Sequence, residues 1–82
     1  MFYVYALVSL KDGSLYIGQT GNVERRVTEH NSGKTGSIKS KTPFRLIYSE
    51  EFEIREEAVR RERKLKSGYG REYLKEHIKY MN

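Results

Sequence analysis

Residues 2–18, FYVYALVSLKDGSLYIG, decide how this chain folds. The run from 2 to 10 is rich in aromatic and β-branched residues, which favour strands, and Asp12-Gly13 is typical of a tight hairpin turn. The residues from Leu15 to Gly18 are then predicted to form the returning strand. This stretch therefore predicts a β-hairpin closed by a two-residue turn.

Side-chain alternation sorts the predicted hairpin into two faces. With Asp12 and Gly13 in the turn, odd positions of the first strand share a face with even positions of the second. One face then carries Tyr3, Tyr5, Tyr16 and Gly18, and the other carries Val4, Ala6, Val8 and Ile17. The same turn leaves Tyr5 and Tyr16 four positions out of register, about 13 Å at the backbone, so a shared site requires inward-leaning side chains or a bulge.

Helical spacing marks most of the remaining sequence. Asn22 is a predicted N-cap, and apolar or histidine positions recur at helical spacing from Val23 until Gly33 supplies a stop. Residues 54–67 contain neither Gly nor Pro and carry Glu–Arg and Glu–Lys pairs four residues apart, which favours a second helix. Its predicted buried stripe is Ile54, Ala58, Val59 and Leu65.

The other predicted elements are a third strand and a last short helix. Phe44 to Phe52 is the predicted strand, and Gly68-Tyr69-Gly70 is expected to interrupt the helical region. The last helix is predicted over residues 71–80, with Tyr73, Leu74 and Ile78 on one side. The expected fold class is α+β, a small three-stranded antiparallel sheet flanked by about three helices, as one domain over residues 1–82.

Composition restricts the chemistry. The chain has no cysteine, which excludes disulfides, thiolate zinc sites and cysteine nucleophiles and agrees with a cytoplasmic location. The apolar start is too short to span a bilayer, so no membrane association is expected. With 16 Lys and Arg against 11 Asp and Glu, the formal charge is +5, and the expected partner is a nucleic acid.

Three short motifs resemble those of the GIY-YIG nucleases. They are Tyr3-Val4-Tyr5, Tyr16-Ile17-Gly18, and the segment 21–26, GNVERR, followed by His30. The later Ala58-Val59-Arg60-Arg61-Glu62 resembles the glutamate-bearing helix of that family. The resemblance covers nearly the whole chain and is closest to small stand-alone members. In the first motif, Tyr3 occupies the position of the Gly in the family name GIY-YIG. Tyr5 keeps the position of the functional tyrosine.

The resemblance implies an endonuclease that hydrolyses phosphodiester bonds in DNA, in repair or processing. Tyr5 would be the general base that takes a proton from the attacking water, and Tyr16 would orient water or phosphate. Arg26 would stabilise the transition state. Glu62 would hold one Mg²⁺ or Mn²⁺ on the leaving side, and no small-molecule cofactor is implied.

The residue types allow these roles and also ordinary structural ones. Two phenols on one sheet face offer donors and acceptors to phosphate or water, but they can equally be packed sheet residues. Arg26 and His30 lie one turn apart on one helical face, where a guanidinium can clamp a phosphate and a histidine can move a proton. Glu62 is either a single carboxylate ligand for Mg²⁺ or the salt-bridge partner of Lys66.

The basic side chains fall in two blocks that predict contacts with the nucleic-acid backbone. The predicted contacts from these blocks are Lys34, Lys39, Lys41, Arg63 and Lys66, and Gln19 and Arg25 are further predicted contacts outside them. The alternative to a nuclease is a non-catalytic nucleic-acid-binding module of the same fold. The sequence leaves open the strandedness of the substrate, DNA against RNA, base specificity, oligomeric state and any protein partner.

Overall fold

The predicted hairpin forms the centre of the fold. A computed structural model describes residues 1–32 and 42–79. Within these residues the elements are β1 (Phe2–Ser9), β2 (Leu15–Thr20), α1 (Val23–Asn31), β3 (Phe44–Phe52), α2 (Arg55–Lys66) and α3 (Gly68–Lys79). The strands form one antiparallel sheet in the order β2-β1-β3. The predicted α+β class is confirmed.

The hairpin loop is longer than predicted. Val8 pairs with Leu15, and the Ser9 N–H donates to the Ser14 carbonyl at 2.8 Å, so residues 10–13 form the loop. The Ser9 hydroxyl accepts from the Lys11 and Asp12 N–H groups at 3.1 and 3.2 Å, which stabilises the longer connection. Gly13 has φ of 79°, a conformation that favours glycine. The predicted two-residue turn is therefore wrong.

The longer loop shifts the strand register by two residues. Tyr5 now lies opposite Gly18, and Tyr16 lies opposite Leu7. An even shift leaves every side chain on its predicted face, because the strand period is two. Tyr5 and Tyr16 become diagonal neighbours, about 7 to 8 Å apart at the backbone, and the expected 13 Å separation does not occur.

The two faces of the sheet carry two separate cores. One face packs against α2 and α3 through Val4, Ala6, Ile47, Ala58, Leu65 and Leu74. The other face, with Tyr5, Leu7 and Phe44, packs against Val27 of α1. A register shift in β3 between the partners of Ala6 and Leu7 makes Ile47 an extra residue, and Ile47 is buried in the first core. The sheet thus separates α1 from α2 and α3.

Two asparagines fix the ends of α1. Asn22 is the N-cap, as predicted, and its side-chain oxygen accepts from the Arg25 N–H at 3.0 Å. At the other end, Asn31 accepts from the Phe44 N–H at 2.6 Å and donates to the Phe44 carbonyl at 3.2 Å. The last turn of α1 is therefore held against the first residue of β3.

The predicted break between the last two helices is present, but it lies at Ser67 and not at Gly68-Tyr69-Gly70. Gly68 already belongs to α3, and Ser67 alone separates α3 from α2. A Cβ on Gly70 would lie 2.3 Å from the Cα and carbonyl oxygen of Leu65. Gly70 therefore permits a close helix–helix contact and does not end a helix.

The predicted buried stripes are right in part. Ala58, Leu65 and Leu74 are buried, whereas Ile54 at the α2 N-cap is 51% exposed and Tyr73 is 40% exposed. Ile54 is extended, not helical, so it leaves the face that helical spacing assigned to it. No helix within residues 1–32 and 42–79 has the length and apolarity to cross a membrane.

The α2–α3 contact predicts that Gly70→Ala is strongly destabilising. The added methyl would meet backbone atoms of Leu65, which cannot rotate away, so we expect a loss of about 1 to 3 kcal/mol in the free energy of unfolding. Gly68→Ala is the matched control, because nothing lies within 4 Å of its added Cβ, and it should be neutral or mildly stabilising. Urea unfolding measures both, and equal midpoints for the two variants would contradict the close contact.

Candidate active site

The Tyr5 phenol lies across the neighbouring strand. A Cβ added to Gly18 would lie 2.8 Å from the Tyr5 hydroxyl oxygen and 3.0 Å from its Cζ. The Tyr5 side chain therefore fills the space that any larger residue at position 18 would occupy. Its hydroxyl reaches β2, although Tyr5 itself is buried in β1.

His30 joins the two tyrosines. It lies near the end of α1, is fully buried, and its Nε2 is 3.2 Å from the Tyr5 hydroxyl oxygen. The Tyr16 ring meets the imidazole edge-on at 4.6 Å between centroids. Nδ1 of His30 has no hydrogen-bond partner within the described ranges. The imidazole is thus in position to exchange a proton with Tyr5.

Arg26 adds a positive charge to the same group. It lies one helical turn before His30, and its guanidinium acts on the Tyr5 phenol in the direction that lowers the phenol's pKa. Arg26 also pairs with Glu29, Nη1 to Oε2, at 3.6 Å. Tyr5, Tyr16, Arg26 and His30 therefore meet on the sheet face that α1 covers.

Burial favours the neutral forms of both Tyr5 and His30. It raises the pKa of Tyr5 above its ordinary value, outweighing Arg26, and the charges of Tyr16 and Glu62 raise it further. Burial also lowers the pKa of His30, and the charge of Arg26 lowers it further. The resting site is a neutral phenol hydrogen-bonded to a neutral imidazole.

Glu62 approaches the sheet from α2. Its Oε1 accepts from the Gln19 side-chain amide at 3.0 Å, and its Oε2 pairs with the Lys66 ammonium at 2.8 Å. The Glu62 side chain is 18% exposed and the Lys66 side chain 54% exposed, so their salt bridge is partly open to solvent. Because Gln19 follows Gly18 on β2, the carboxylate lies at the strand that Tyr5 crosses, and its charge raises the pKa of Tyr5.

The residues present fit a single hard cation. The described part of the chain contains no group of three or more His, Cys, Asp or Glu residues suited to a metal ion. Mg²⁺ does not need one, since it commonly uses one or two carboxylates with water and substrate phosphate oxygens. Glu62 is the residue that would hold such an ion, and its carboxylate would then give up its contact with Gln19 or with Lys66.

The predicted nucleic-acid contacts lie in different places. Lys66 lines a cleft of about 290 Å³ with Tyr16, whereas Arg63 lies on another side of α2. Arg25 is exposed and pairs with Glu29 at 3.4 Å, and the Gln19 amide binds Glu62. Lys34, Lys39 and Lys41 lie outside the described residues.

Sequence reasoning did not single out two residues of this region. Arg71 lines the cleft beside Tyr16, but the sequence shows it only as one charge in a long basic segment. Gly18 was assigned to the tyrosine face without a function, although it makes room for Tyr5. Its place opposite Tyr5 follows only once the strand register is known.

The hairpin of β1 and β2 carries two tyrosines, and α1 brings an arginine and a histidine to the same face of the sheet. The glutamate of α2 approaches from the other face. This combination defines a class of catalytic domain. The chain belongs to the GIY-YIG family, because the family model described as the GIY-YIG catalytic domain matches residues 1–77.

Among known proteins the chain is similar to several UPF0213 proteins. It is 45% identical over 74 residues to one from Staphylococcus haemolyticus, covering 89% of each chain. It is 46% identical over 71 residues to one from Haloquadratum walsbyi, covering 85% of this chain and 78% of that one. The solution NMR structure of a UPF0213 protein from Bacillus halodurans has 42% identity and a TM-score of 0.54, covering 90% and 82% of the two chains.

The crossing of Tyr5 over Gly18 predicts that Gly18→Ala displaces the phenol. The new methyl would lie 2.8 Å from the Tyr5 hydroxyl, so the ring must move and its hydrogen bond to His30 should weaken. Gly21→Ala adds the same methyl into open space and serves as the control. The His30 ring resonances in NMR spectra should shift in Gly18→Ala and stay in place in Gly21→Ala. Unchanged His30 resonances in both would contradict the crossing.

The lowered pKa of His30 predicts a loss of stability in mild acid. As pH falls below about 6.5, the unfolded chain takes up a proton that folded His30 does not, so the unfolded state is favoured. The loss should level off once pH passes below the folded pKa. Urea unfolding between pH 5.5 and 8, a range that brackets the ordinary His titration at about 6.5, measures it. His30→Gln should remove this component and exposed His77→Gln should keep it, and the reverse result would refute the assignment.

Proposed function

We propose that this protein is a divalent-metal-dependent endonuclease that hydrolyses phosphodiester bonds in DNA, in repair or processing. The observation that carries the proposal is the meeting of Tyr5, Tyr16, Arg26 and His30 beside Glu62. These residues come from two strands and two helices. The net charge of +5 supports a polyanionic substrate.

Tyr5 and His30 act together as the general base. A phenol with a raised pKa is a poor base by itself near pH 7, because almost none of it is ionised. With Nδ1 protonated, neutral His30 accepts the phenolic proton at Nε2 while Tyr5 takes a proton from the attacking water. The proton thus passes from water to imidazole, and Arg26 stabilises negative charge that develops on the phenol oxygen.

Arg26 and Tyr16 bind the scissile phosphate. A guanidinium offers paired donors to phosphate oxygens and stabilises the extra charge of the transition state. Tyr16 is half-buried, with its ring held by His30 and a side open to the cleft. Its hydroxyl can therefore orient a phosphate oxygen or the attacking water.

Glu62 would hold the one Mg²⁺ or Mn²⁺ of the site. Such an ion, when bound, supplies positive charge that stabilises the leaving oxygen. In its absence Lys66 and Gln19 satisfy both carboxylate oxygens, which keeps the side chain in a fixed position. To hold such an ion, Glu62 would have to give up its ion pair with Lys66.

One observation favours the second candidate, a non-catalytic nucleic-acid-binding module. Both oxygens of Glu62 already have partners from the protein, as expected for a carboxylate with a structural role. In that case the basic surface would bind nucleic acid and the carboxylate would fix α2 to β2.

Glu62→Gln distinguishes the two candidates. Gln keeps the size and helix propensity of Glu but loses the charge that attracts a hard cation, so cleavage should fall on the order of 100-fold or more while nucleic-acid binding persists. Glu56→Gln is the control, since Glu56 is an exposed carboxylate of the same helix. The measurement is turnover of labelled single-stranded, duplex and branched DNA and of RNA, with Mg²⁺ or with a chelator, after circular dichroism confirms folding.

The results separate three cases. If Glu62→Gln loses metal-dependent cleavage and Glu56→Gln keeps it, the result supports the nuclease and supports Glu62 as its metal ligand. Cleavage that survives the substitution removes Glu62 from the mechanism. Binding without cleavage of any substrate by the unchanged protein rejects the nuclease and favours the binding module.

A further inference from the structure

We propose that Arg71 forms a phosphate-binding subsite beside Tyr16, from which a nucleic-acid strand leaves the site along one side of α3. This inference rests on the proposed function for the position of the scissile phosphate. The subsite would fix the direction in which the nucleic-acid strand crosses the protein surface. The ligand is a phosphodiester of the strand, one or two linkages away from the bond that is cleaved.

The subsite begins in the cleft beside β2. The cleft is lined by Leu15, Tyr16, Ile17, Lys66 and Arg71. Lys66 comes from the last residue of α2 and Arg71 from the first turn of α3, so two helices each bring one cation to Tyr16. The cleft is therefore continuous with the tyrosine that is proposed to contact the scissile phosphate.

Arg71 carries a charge that its protein surroundings do not neutralise. The ion pairs within residues 1–32 and 42–79 use Arg25, Arg26, Arg61 and Lys66, and none involves Arg71. Lys66, in contrast, is held by Glu62 at 2.8 Å. Arg71 is exposed, so it can bind a phosphate without first giving up a carboxylate. That makes it the stronger anion-binding group of the cleft in the resting protein.

The helix extends this positive charge away from the cleft. Leu74 faces the core and Gly70 is buried against Leu65, which places Arg71 on the flank of α3. Lys75 lies one turn further on the same flank, about 6 Å along the axis, and is exposed. The opposite flank carries Tyr69, Tyr73 and His77. Arg71 and Lys75 thus extend the basic surface from the cleft along this flank of α3.

Arg60 provides a matched comparison. Arg60 is an exposed arginine on α2. It borders two other depressions, one lined by Val59 and the other by Phe52, and Tyr16 lines neither of them. Removing it changes the net charge by the same amount as removing Arg71. A general attraction between a basic protein and DNA would therefore respond equally to both substitutions.

The test compares Arg71→Ala, Arg71→Lys and Arg60→Ala in the full chain. Affinity for a labelled single-stranded and a labelled duplex DNA is measured by fluorescence anisotropy in chelator, over a series of salt concentrations. We expect Arg71→Ala to weaken binding on the order of tenfold and to reduce the slope of log affinity against log salt by about 0.7 to 0.9, the value of one phosphate contact. Arg71→Lys should restore most of the loss, and Arg60→Ala should change little.

Two results would overturn the subsite. One is an equal loss in Arg71→Ala and Arg60→Ala, and the other is no loss in Arg71→Ala. Because binding is measured without metal, it does not depend on cleavage. If only Arg71→Ala loses DNA affinity and the unchanged protein cleaves nothing, the subsite stands and the nuclease is rejected. If the protein is a nuclease and Arg71→Ala keeps its DNA affinity, only the subsite is rejected.

Discussion

The passage of the Tyr5 ring over Gly18 is the contact on which the rest of the site depends. It carries the phenol from the central strand to β2, where it meets Tyr16 and His30 on one side of the sheet. It also brings the hydroxyl toward the strand that Glu62 approaches from α2. A residue with a side chain at position 18 would occupy that path, so one glycine links the two halves of the site.

The sheet both separates and connects the groups of the proposed reaction. Arg26 and His30 lie on α1, on one face, whereas Glu62 lies on a helix that packs on the other. The phenol and the carboxylate come near each other because β2 is an edge strand of the sheet formed by residues 1–32 and 42–79. Burial of Tyr5 and His30 favours the neutral form of each in the resting site.

The α2–α3 contact positions the charged surface. Gly70 packs against the backbone of Leu65, and Ser67 alone separates the two helices. This tight connection keeps the first turn of α3 beside the end of α2, and Lys66 and Arg71 line one cleft with Tyr16. A longer connection would leave these two cations free to diverge. The helix–helix contact therefore affects substrate binding as well as stability.

The sequence by itself determined the local structure. Strand alternation, the Asn22 cap and the helical spacing of Arg26 and His30 predicted the α+β sheet and the faces of the hairpin, because each depends on near neighbours along the chain. Whether the predicted residues carry out catalysis stays a prediction. The hairpin register was predicted wrongly although the contacts that stabilise its loop, from the Ser9 hydroxyl to the Lys11 and Asp12 N–H groups, are local. Tertiary structure alone decided the role of Gly70 and the position of Arg71, because they acquire their roles from Leu65 and Tyr16, which lie on other elements. Such contacts depend on how elements pack against one another, which local residue patterns do not specify.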